Sequence, residues 1–202
     1  MNREEFFHLV QQNRSAKDIE EIRHAYWLAE LGHAHQVRDD GERFFNHPRR
    51  VAVSLIKFGY GETANVKSGL LHDIVEETNT PYTVIVNLLG QETWEWTQLL
   101  SRSIPAFDPI SGQVIARVKK EDKEYYQGLY DAAFGVRVSK LADRLDNLCT
   151  IGPFEPERKR RYLDETYTYV LPLAQMTCPR YLEAIQTQTR LVEQILSHPP
   201  PG

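Results

Sequence analysis

Residues 70–79, LLHDIVEETN, place four ionisable side chains in an otherwise apolar segment. His72 and Asp73 are adjacent, and Glu76 and Glu77 follow one helical turn later. Residues four apart lie on one face of a helix, so we expect His72 to lie near Glu76 and Asp73 near Glu77. Burying charges without partners is costly. Either this face is solvated, or a positive group holds it.

A second polar face lies in VRVSKLADRLDNLCT, residues 136–150. Helical spacing gives this segment an apolar stripe and, opposite it, a polar group of Ser139, Asp143, Asp146, Asn147 and Thr150. Lys140 and Arg144 border the polar side. An ordinary amphipathic helix would show the same pattern. The combination of a carboxylate with small hydrogen-bonding side chains nevertheless favours a binding face.

His47 precedes Pro48, where a loop is predicted to enter a helix. A histidine at such a junction is more often a capping or packing residue than a ligand. Together with His72, Asp73 and Asp143, however, it makes a set of two imidazoles and two carboxylates. Such donors suit Mn, Fe, Zn or Ni better than thiol-preferring metals. A divalent ion would supply the positive charge that the buried acidic groups need.

The composition is that of a soluble globular protein. Of 202 residues, 24 are basic and 28 acidic, which gives a net charge of -4. This charge argues against sequence-independent binding of nucleic acid. No uncharged apolar run is long enough for a membrane span, and MNREEFFHLV does not have the pattern of a secretory signal. Two cysteines without metal-finger spacing predict neither a disulfide framework nor a thiolate zinc site. A reducing cytoplasm is the default expectation.

Apolar residues recur at helical spacing along most of the chain, and strand-like alternation is scarce. Helices are predicted for residues 2–12, 16–33, 48–58, 62–77, 81–89, 91–102, 117–131, 134–150, 156–175 and 179–197. The segment 104–113, IPAFDPISGQ, is predicted to be the one clear internal loop. The tail HPPPG is expected to fray. The sequence therefore predicts one all-α domain, a compact bundle of about nine or ten helices over residues 1–202.

The order His, His-Asp, Asp, with the last Asp in KLADR, resembles the signature of HD-superfamily phosphohydrolases. Longer motifs narrow the resemblance to the hydrolase domain of RelA/SpoT-type alarmone enzymes: AYWLAELGHAHQVRDDGERFFNHPRRVAVSL, GLLHDIVEETNT, VRVSKLADRLDNLCT and ETYTYVLPLA. They occur in the family's order and spacing over roughly residues 20–176, leaving a C-terminal helix and tail at 177–202. The resemblance implies an HD-domain helical bundle. Because 202 residues leave no room for a synthetase domain, it also implies the small stand-alone kind.

The resemblance implies a Mn²⁺-dependent 3′-pyrophosphohydrolase that converts (p)ppGpp to GDP or GTP and pyrophosphate by metal-activated water. The implied metal ligands are His47, His72, Asp73 and Asp143, and Glu76 and Glu77 fall on the pair that positions the water. The small-molecule nucleotide would be bound by Arg38, Asn147, Thr150, Tyr162, Arg144, Lys119 and Lys120. A structural ion pair is an equal alternative for Arg144. For at least one of the two lysines, a solvated surface position is favoured.

Three departures from the family pattern are expected to affect the base pocket and the water position rather than the metal ligands. Asp39 and Asp40 follow Arg38 where another basic residue is usual, Glu77 replaces an aspartate, and Asp146 stands where a histidine or tyrosine is usual. Hydrolysis of (p)ppApp or of another nucleotide by an HD enzyme is therefore an alternative. A catalytically weak nucleotide-binding regulatory module is a third hypothesis, which the retained ligands disfavour. The sequence gives no indication of oligomeric state.

Overall fold

The computed structural model describes residues 1–197, and most of them are helical. The helices are α1 Arg3–Gln11, α2 Ala16–Gly32, α3 Asn46–Lys57, α4 Thr63–Leu71, α5 Ile74–Glu77, α6 Tyr82–Leu89, α7 Gln91–Leu100, α8 Asp122–Asp131, α9 Phe134–Cys149, α10 Pro156–Glu165, α11 Leu171–Thr177 and α12 Pro179–Ser197. The predicted all-α class and helical bundle are confirmed. None of the helices within 1–197 is long and apolar enough to cross a membrane. The tail HPPPG, which the sequence predicts to fray, lies outside the described residues.

A small antiparallel hairpin replaces the predicted loop at 104–113 and the predicted helix start at 117. Its strands are β1 Ser103–Phe107 and β2 Val114–Lys119. The Asp108 carboxylate accepts hydrogen bonds from the backbone N–H groups of Ile110 and Ser111 and so closes the turn. Pro105 is tolerated in β1 because both strands of a two-stranded sheet are edge strands. The prediction was wrong here because proline, glycine and aspartate were read as loop residues alone.

The helix predicted over 62–77 is interrupted at its most polar point. α4 ends at Leu71 and α5 begins at Ile74, so His72 and Asp73 form a turn between them. The backbone N–H of Glu77 still donates to the carbonyl of Asp73, at 2.8 Å. The predicted helical relation of Asp73 to Glu77 is therefore retained in α5. A second interruption falls within predicted helix 156–175, where a π-helical turn at Thr166–Val170 separates α10 from α11.

Helices α3, α4 and α9 pack against one another and carry the histidines and aspartates of interest. His47 lies in the first turn of α3, His72 follows the end of α4, and Asp143 lies in the middle of α9. Buried residues such as Leu55, Leu70 and Leu141 fill the space between these helices and beside them. This apolar packing fixes the three helices, and through them the polar side chains at one end.

Gly69 allows α4 to approach α3 closely, three residues before His72. A Cβ added to Gly69 would lie 2.8 Å from Cδ1 of Leu55 and 3.2 Å from the backbone of Ala52. We expect Gly69→Ala to lower the free energy of unfolding by about 1–3 kcal/mol, because α3 or Leu55 has to move. Urea unfolding measures this change. Gly128→Ala is the matched control, since its Cβ meets no atom within 4 Å, and equal stability changes in the two variants would contradict the packing argument.

Candidate metal centre and the cleft beside it

Four side-chain donors converge where α3, α4 and α9 meet. The Nε2 atoms of His47 and His72 lie 3.1 Å apart, and Oδ2 of Asp73 lies 3.1 Å from Nε2 of His72 and 3.5 Å from Nε2 of His47. Oδ1 of Asp143 lies 3.3 Å from Nε2 of His47 and 3.6 Å from Nε2 of His72. Metal–ligand bonds of about 2.1 Å put neighbouring donor atoms roughly 3.0–3.4 Å apart. His47, His72 and Asp73 therefore fit one divalent cation, and Asp143 lies close enough to both imidazoles to be a fourth ligand.

Both histidines present the same ring nitrogen to the centre. Nδ1–H of His72 donates to the carbonyl of Gly69 at 2.9 Å, and Nδ1–H of His47 donates to Oδ2 of Asp146 at 2.6 Å. Hydrogen bonds of this kind fix the tautomer of a metal-binding imidazole and leave the Nε2 lone pair for the metal. His47 and His72 are only 1% and 3% exposed, so their ring orientations are also fixed by packing.

The centre carries negative charge that calls for a cation. Burial alone would raise the pKa of Asp73, but the charge of His72 and a hydrogen bond from it outweigh burial and lower that pKa. Burial would likewise lower the pKa of His72, yet the charge of Asp73 raises it well above its usual value. The carboxylates therefore stay ionised at neutral pH, and either protonated imidazole or a bound metal ion balances them.

Asp143 is held on two sides. Its Oδ2 accepts from Nζ of Lys140 at 2.8 Å, and its Oδ1 accepts from Nδ2 of Asn147 at 2.5 Å. Lys140 is buried, although the sequence placed it at the border of the polar face. Its position three residues before Asp143 on a helix is the signal that could have identified it.

The two glutamates that follow the His-Asp pair lie in different surroundings. Oε2 of Glu76 accepts from the backbone N–H of Arg102 at 2.8 Å. Glu77 lines a cleft next to the metal centre, and burial raises its pKa, as do the charges of Asp73 and Glu76. Of the two, Glu77 is the carboxylate that faces the cleft.

The cleft beside Glu77 has a volume of about 280 Å³ and combines aromatic rings with guanidinium groups. Phe44, Phe154 and Tyr162 supply the rings, and Arg38 and Arg158 supply the positive charge. Nη2 of Arg38 donates to Oδ1 of Asn147 at 2.8 Å and to the hydroxyl of Thr150 at 3.4 Å. The structure thus brings together the predicted residues Arg38, Asn147, Thr150 and Tyr162.

A second, more basic cleft of about 480 Å³ adjoins the first and shares Arg158 and Tyr162 with it. Arg102, Lys119 and Arg161 also line it, together with Asp122, Asp164 and Glu165, and of its cations only Lys119 was among the sequence candidates. The run PERKRRY at 156–162 was the available signal for the two arginines of α10. Lys120 is placed differently, since its Nζ donates to the carbonyls of Gln98 at 2.9 Å and Ser101 at 2.8 Å.

Arg144 forms the structural ion pair that was one of its two predicted roles. Its Nη2 binds the carboxylate of Glu165 and donates to the hydroxyl of Tyr126 at 3.3 Å. The ring of Tyr162 lies 4.7 Å from the guanidinium carbon. Nε and Nη1 of Arg144 are buried and have no hydrogen-bond partner within residues 1–197. Of the three guanidinium nitrogens of Arg144, only Nη2 therefore takes part in the ion pair.

Two of the departures from the family pattern have clear partners. Oδ2 of Asp39 lies 2.6 Å from Nη1 of Arg158, so the arginine restores a positive charge at the cleft beside the carboxylate. Asp146 lies behind His47, and the prediction that this departure would leave the metal ligands untouched is wrong. A further residue missed by the sequence is His33, which is buried and stacked on Phe44 with ring centroids 4.6 Å apart.

Comparisons with known proteins bear on this arrangement. No family model matches the chain. The chain is 32% identical over 158 residues to the guanosine-3′,5′-bis(diphosphate) 3′-pyrophosphohydrolase of Aquifex aeolicus, an alignment that covers 77% of the chain and 21% of the relative. It is 33% identical over 172 residues to the bifunctional (p)ppGpp synthase/hydrolase SpoT of Escherichia coli, covering 82% of the chain and 23% of the relative. The chain thus spans less than a quarter of the length of these curated relatives.

A solved structure shares the fold. It is described as a metazoan ortholog of SpoT that hydrolyzes ppGpp, and it matches with a TM-score of 0.71 at 18% identity, covering 89% of this chain and 97% of that chain. This likeness and the helical bundle confirm the predicted HD-type fold. Over most of its length the chain is homologous to one part of these RelA/SpoT-type proteins, the resemblance that its motifs predicted.

Proposed function

We propose that this chain is a 3′-pyrophosphohydrolase of (p)ppGpp that releases GDP or GTP and pyrophosphate, with Mn²⁺ as its metal. The observation that carries the proposal is the convergence of His47, His72, Asp73 and Asp143 next to the cleft that Glu77 and Asn147 line. The names of the curated relatives supply the substrate. Imidazole and carboxylate donors suit manganese but also other divalent transition metals, so the metal is the finer part of the proposal.

The proposed chemistry is hydrolysis at the phosphorus atom attached to the ribose 3′-oxygen. A divalent ion held by the four donors would lower the pKa of a bound water and polarise a phosphoryl oxygen. Glu77 faces the cleft, and because its pKa is raised by burial and by the charges of Asp73 and Glu76, its carboxylate is a stronger proton acceptor than an ordinary glutamate. Glu76 accepts from the backbone N–H of Arg102 and so links α5 to the residue that precedes β1.

The two clefts suit the two ends of the nucleotide. Aromatic rings and Arg38 line the smaller cleft, which is where we place the purine, since base rings stack on aromatic and guanidinium planes. The larger cleft is lined by four cations, Arg102, Lys119, Arg158 and Arg161, and by three carboxylates, Asp122, Asp164 and Glu165. We place the 5′-phosphate groups there, because the reacting 3′-phosphorus has to lie at the metal centre. Arg158 borders both clefts and pairs with Asp39, so a cation still lies beside the position where the family usually has a second basic residue.

The proposal is tested by anion-exchange analysis of products after incubation with ppGpp, and separately with ppApp, in the presence of Mn²⁺, Mg²⁺ or Zn²⁺ or after chelation. We expect release of GDP and pyrophosphate from ppGpp that is fastest with Mn²⁺ and stops on chelation. Turnover of ppApp alone would keep the chemistry and change the substrate. Absence of cleavage by folded protein with bound metal would overturn the proposal.

Adjacent lysines give a sharp test of the basic cleft. We expect Lys119→Ala to raise KM for ppGpp about tenfold, the equivalent of ~1.4 kcal/mol, because it removes a cation that lines the phosphate-binding cleft. Lys120→Ala should leave KM within about twofold and lower the free energy of unfolding by about 1–2 kcal/mol, because it removes two hydrogen bonds to backbone carbonyls. Steady-state kinetics and urea unfolding measure the two effects. Equal KM changes in the variants would contradict the assignment of Lys119 to the substrate.

A further inference from the structure

A row of charged side chains lies behind His47, on the side of the ring away from the candidate metal centre. Nδ1–H of His47 donates to Oδ2 of Asp146 at 2.6 Å. Nε of Arg50 donates to Oδ1 of Asp146 at 2.7 Å, and Nη2 donates to Oδ2 at 3.1 Å. Nη1 of Arg50 lies 2.5 Å from Oε2 of Glu42. We call Asp146, Arg50 and Glu42 the His47 support.

The His47 support ties α9 to α3 and to the loop that precedes α3. Arg50 lies one turn after His47 on α3, Asp146 lies on α9, and Glu42 belongs to the loop that precedes α3. The guanidinium group of Arg50 binds both oxygens of Asp146, a two-point contact that fixes the plane of the carboxylate. Because the Asp146 side chain is only 9% exposed, water does not provide an easy substitute for these contacts.

The two histidines of the centre are supported differently. His72 donates to a neutral backbone carbonyl, whereas His47 donates to an ionised carboxylate. A carboxylate partner makes the imidazole a stronger electron donor at its other nitrogen. Arg50 pairs with both Asp146 and Glu42, so the His47 support carries one net negative charge, which favours His47 as the ligand of a cation.

We propose that Asp146, clamped by Arg50, is a positioning residue that fixes the Nδ1–H tautomer of His47 and thereby sets the affinity of the centre for its divalent ion. This inference depends on one part of the proposed function, namely that the centre binds a divalent metal ion. It assigns to this chain a carboxylate–histidine support at a position where the resembled family usually has histidine or tyrosine. Arg50 is the partner that makes a buried carboxylate tolerable there.

The test measures Mn²⁺ binding by electron paramagnetic resonance titration and the His47 tautomer by long-range ¹H–¹⁵N NMR, both without nucleotide. We expect Asp146→Ala to weaken Mn²⁺ binding about 10–100-fold and to mix the two His47 tautomers in the metal-free protein. Arg50→Ala keeps the Asp146 carboxylate but no longer fixes the orientation of its plane. We therefore expect Mn²⁺ binding to weaken about 3–10-fold in this variant. That second variant also serves if Asp146→Ala does not fold.

Glu21→Gln is the matched control, because Glu21 pairs with the buried Lys67 at 2.9 Å outside the centre. We expect it to leave Mn²⁺ affinity within about twofold, since it changes a carboxylate that contacts none of the four donors. Wild-type affinity and a single Nδ1–H tautomer in both Asp146→Ala and Arg50→Ala would overturn the proposal. That result would leave the proposed hydrolase function intact, because the wild-type protein would still bind its metal.

Discussion

His72→Ala should reduce ppGpp hydrolysis by more than about 10³-fold, provided that the proposed function holds. His72 contributes the Nε2 atom that lies within 3.6 Å of donor atoms from His47, Asp73 and Asp143. Its removal leaves three donors and a gap on one side of the centre. Metal-assisted hydrolysis draws several kcal/mol of transition-state stabilisation from the ion, and each ~1.4 kcal/mol is a tenfold change in rate.

The measurement is single-turnover cleavage of ppGpp at saturating Mn²⁺, together with bound metal per chain and a thermal melt. His24→Ala is the control, since His24 is a partly exposed histidine that pairs with Glu20 on α2, outside the centre. It should cleave within about twofold of wild type, as expected for a surface substitution. If His72→Ala keeps a tenth of the wild-type rate, the four-donor centre is not the site of the reaction.

The sequence predicted the helices well because most of them pack one apolar face, and that periodicity is local. It also provided the candidate donors, but their convergence depends on how α3, α4 and α9 pack. His47 and His72 are 25 residues apart, and no spacing rule brings such residues within 3.1 Å. The motif resemblance supplied that information, and the packing at Gly69 accounts for it physically.

Other features depend on contacts that a single sequence does not reveal. In the sequence, Asp146 is one more polar residue on the face of α9. Its supporting role depends on a contact with Arg50, which lies 96 residues earlier in the chain. No proline or glycine stands at His72 or Asp73 to mark the end of the helix in the sequence. The structure shows that the His72 ring donates a hydrogen bond to the Gly69 carbonyl at this point. The hairpin was hidden because its turn residues dominate the segment 104–113.

Asp143→Ala should lower the free energy of unfolding by about 3–5 kcal/mol even without metal, a larger effect than the loss of a ligand alone would cause. The reason is Lys140, whose Nζ lies 2.8 Å from Asp143 Oδ2 while the two side chains are only 8% and 7% exposed. Burial alone would lower the pKa of Lys140, but the charge of Asp143 raises it well above its usual value. Removing the carboxylate therefore leaves a buried cation without its partner.

Urea unfolding in the presence of a chelator measures the stability lost with the Lys140–Asp143 ion pair. Without the chelator, bound metal would add to the stability of the folded wild type. The double variant Lys140→Met/Asp143→Ala removes both charges and should recover about 2 kcal/mol or more relative to Asp143→Ala, because an apolar pair no longer contains an uncompensated ion. Glu20→Ala, which breaks the exposed pair with Arg23, should cost less than about 1 kcal/mol. No recovery in the double variant would mean that Lys140 finds another partner. In that case Lys140 would not depend on Asp143, and Asp143 would be held in place chiefly by the two histidines and Asn147.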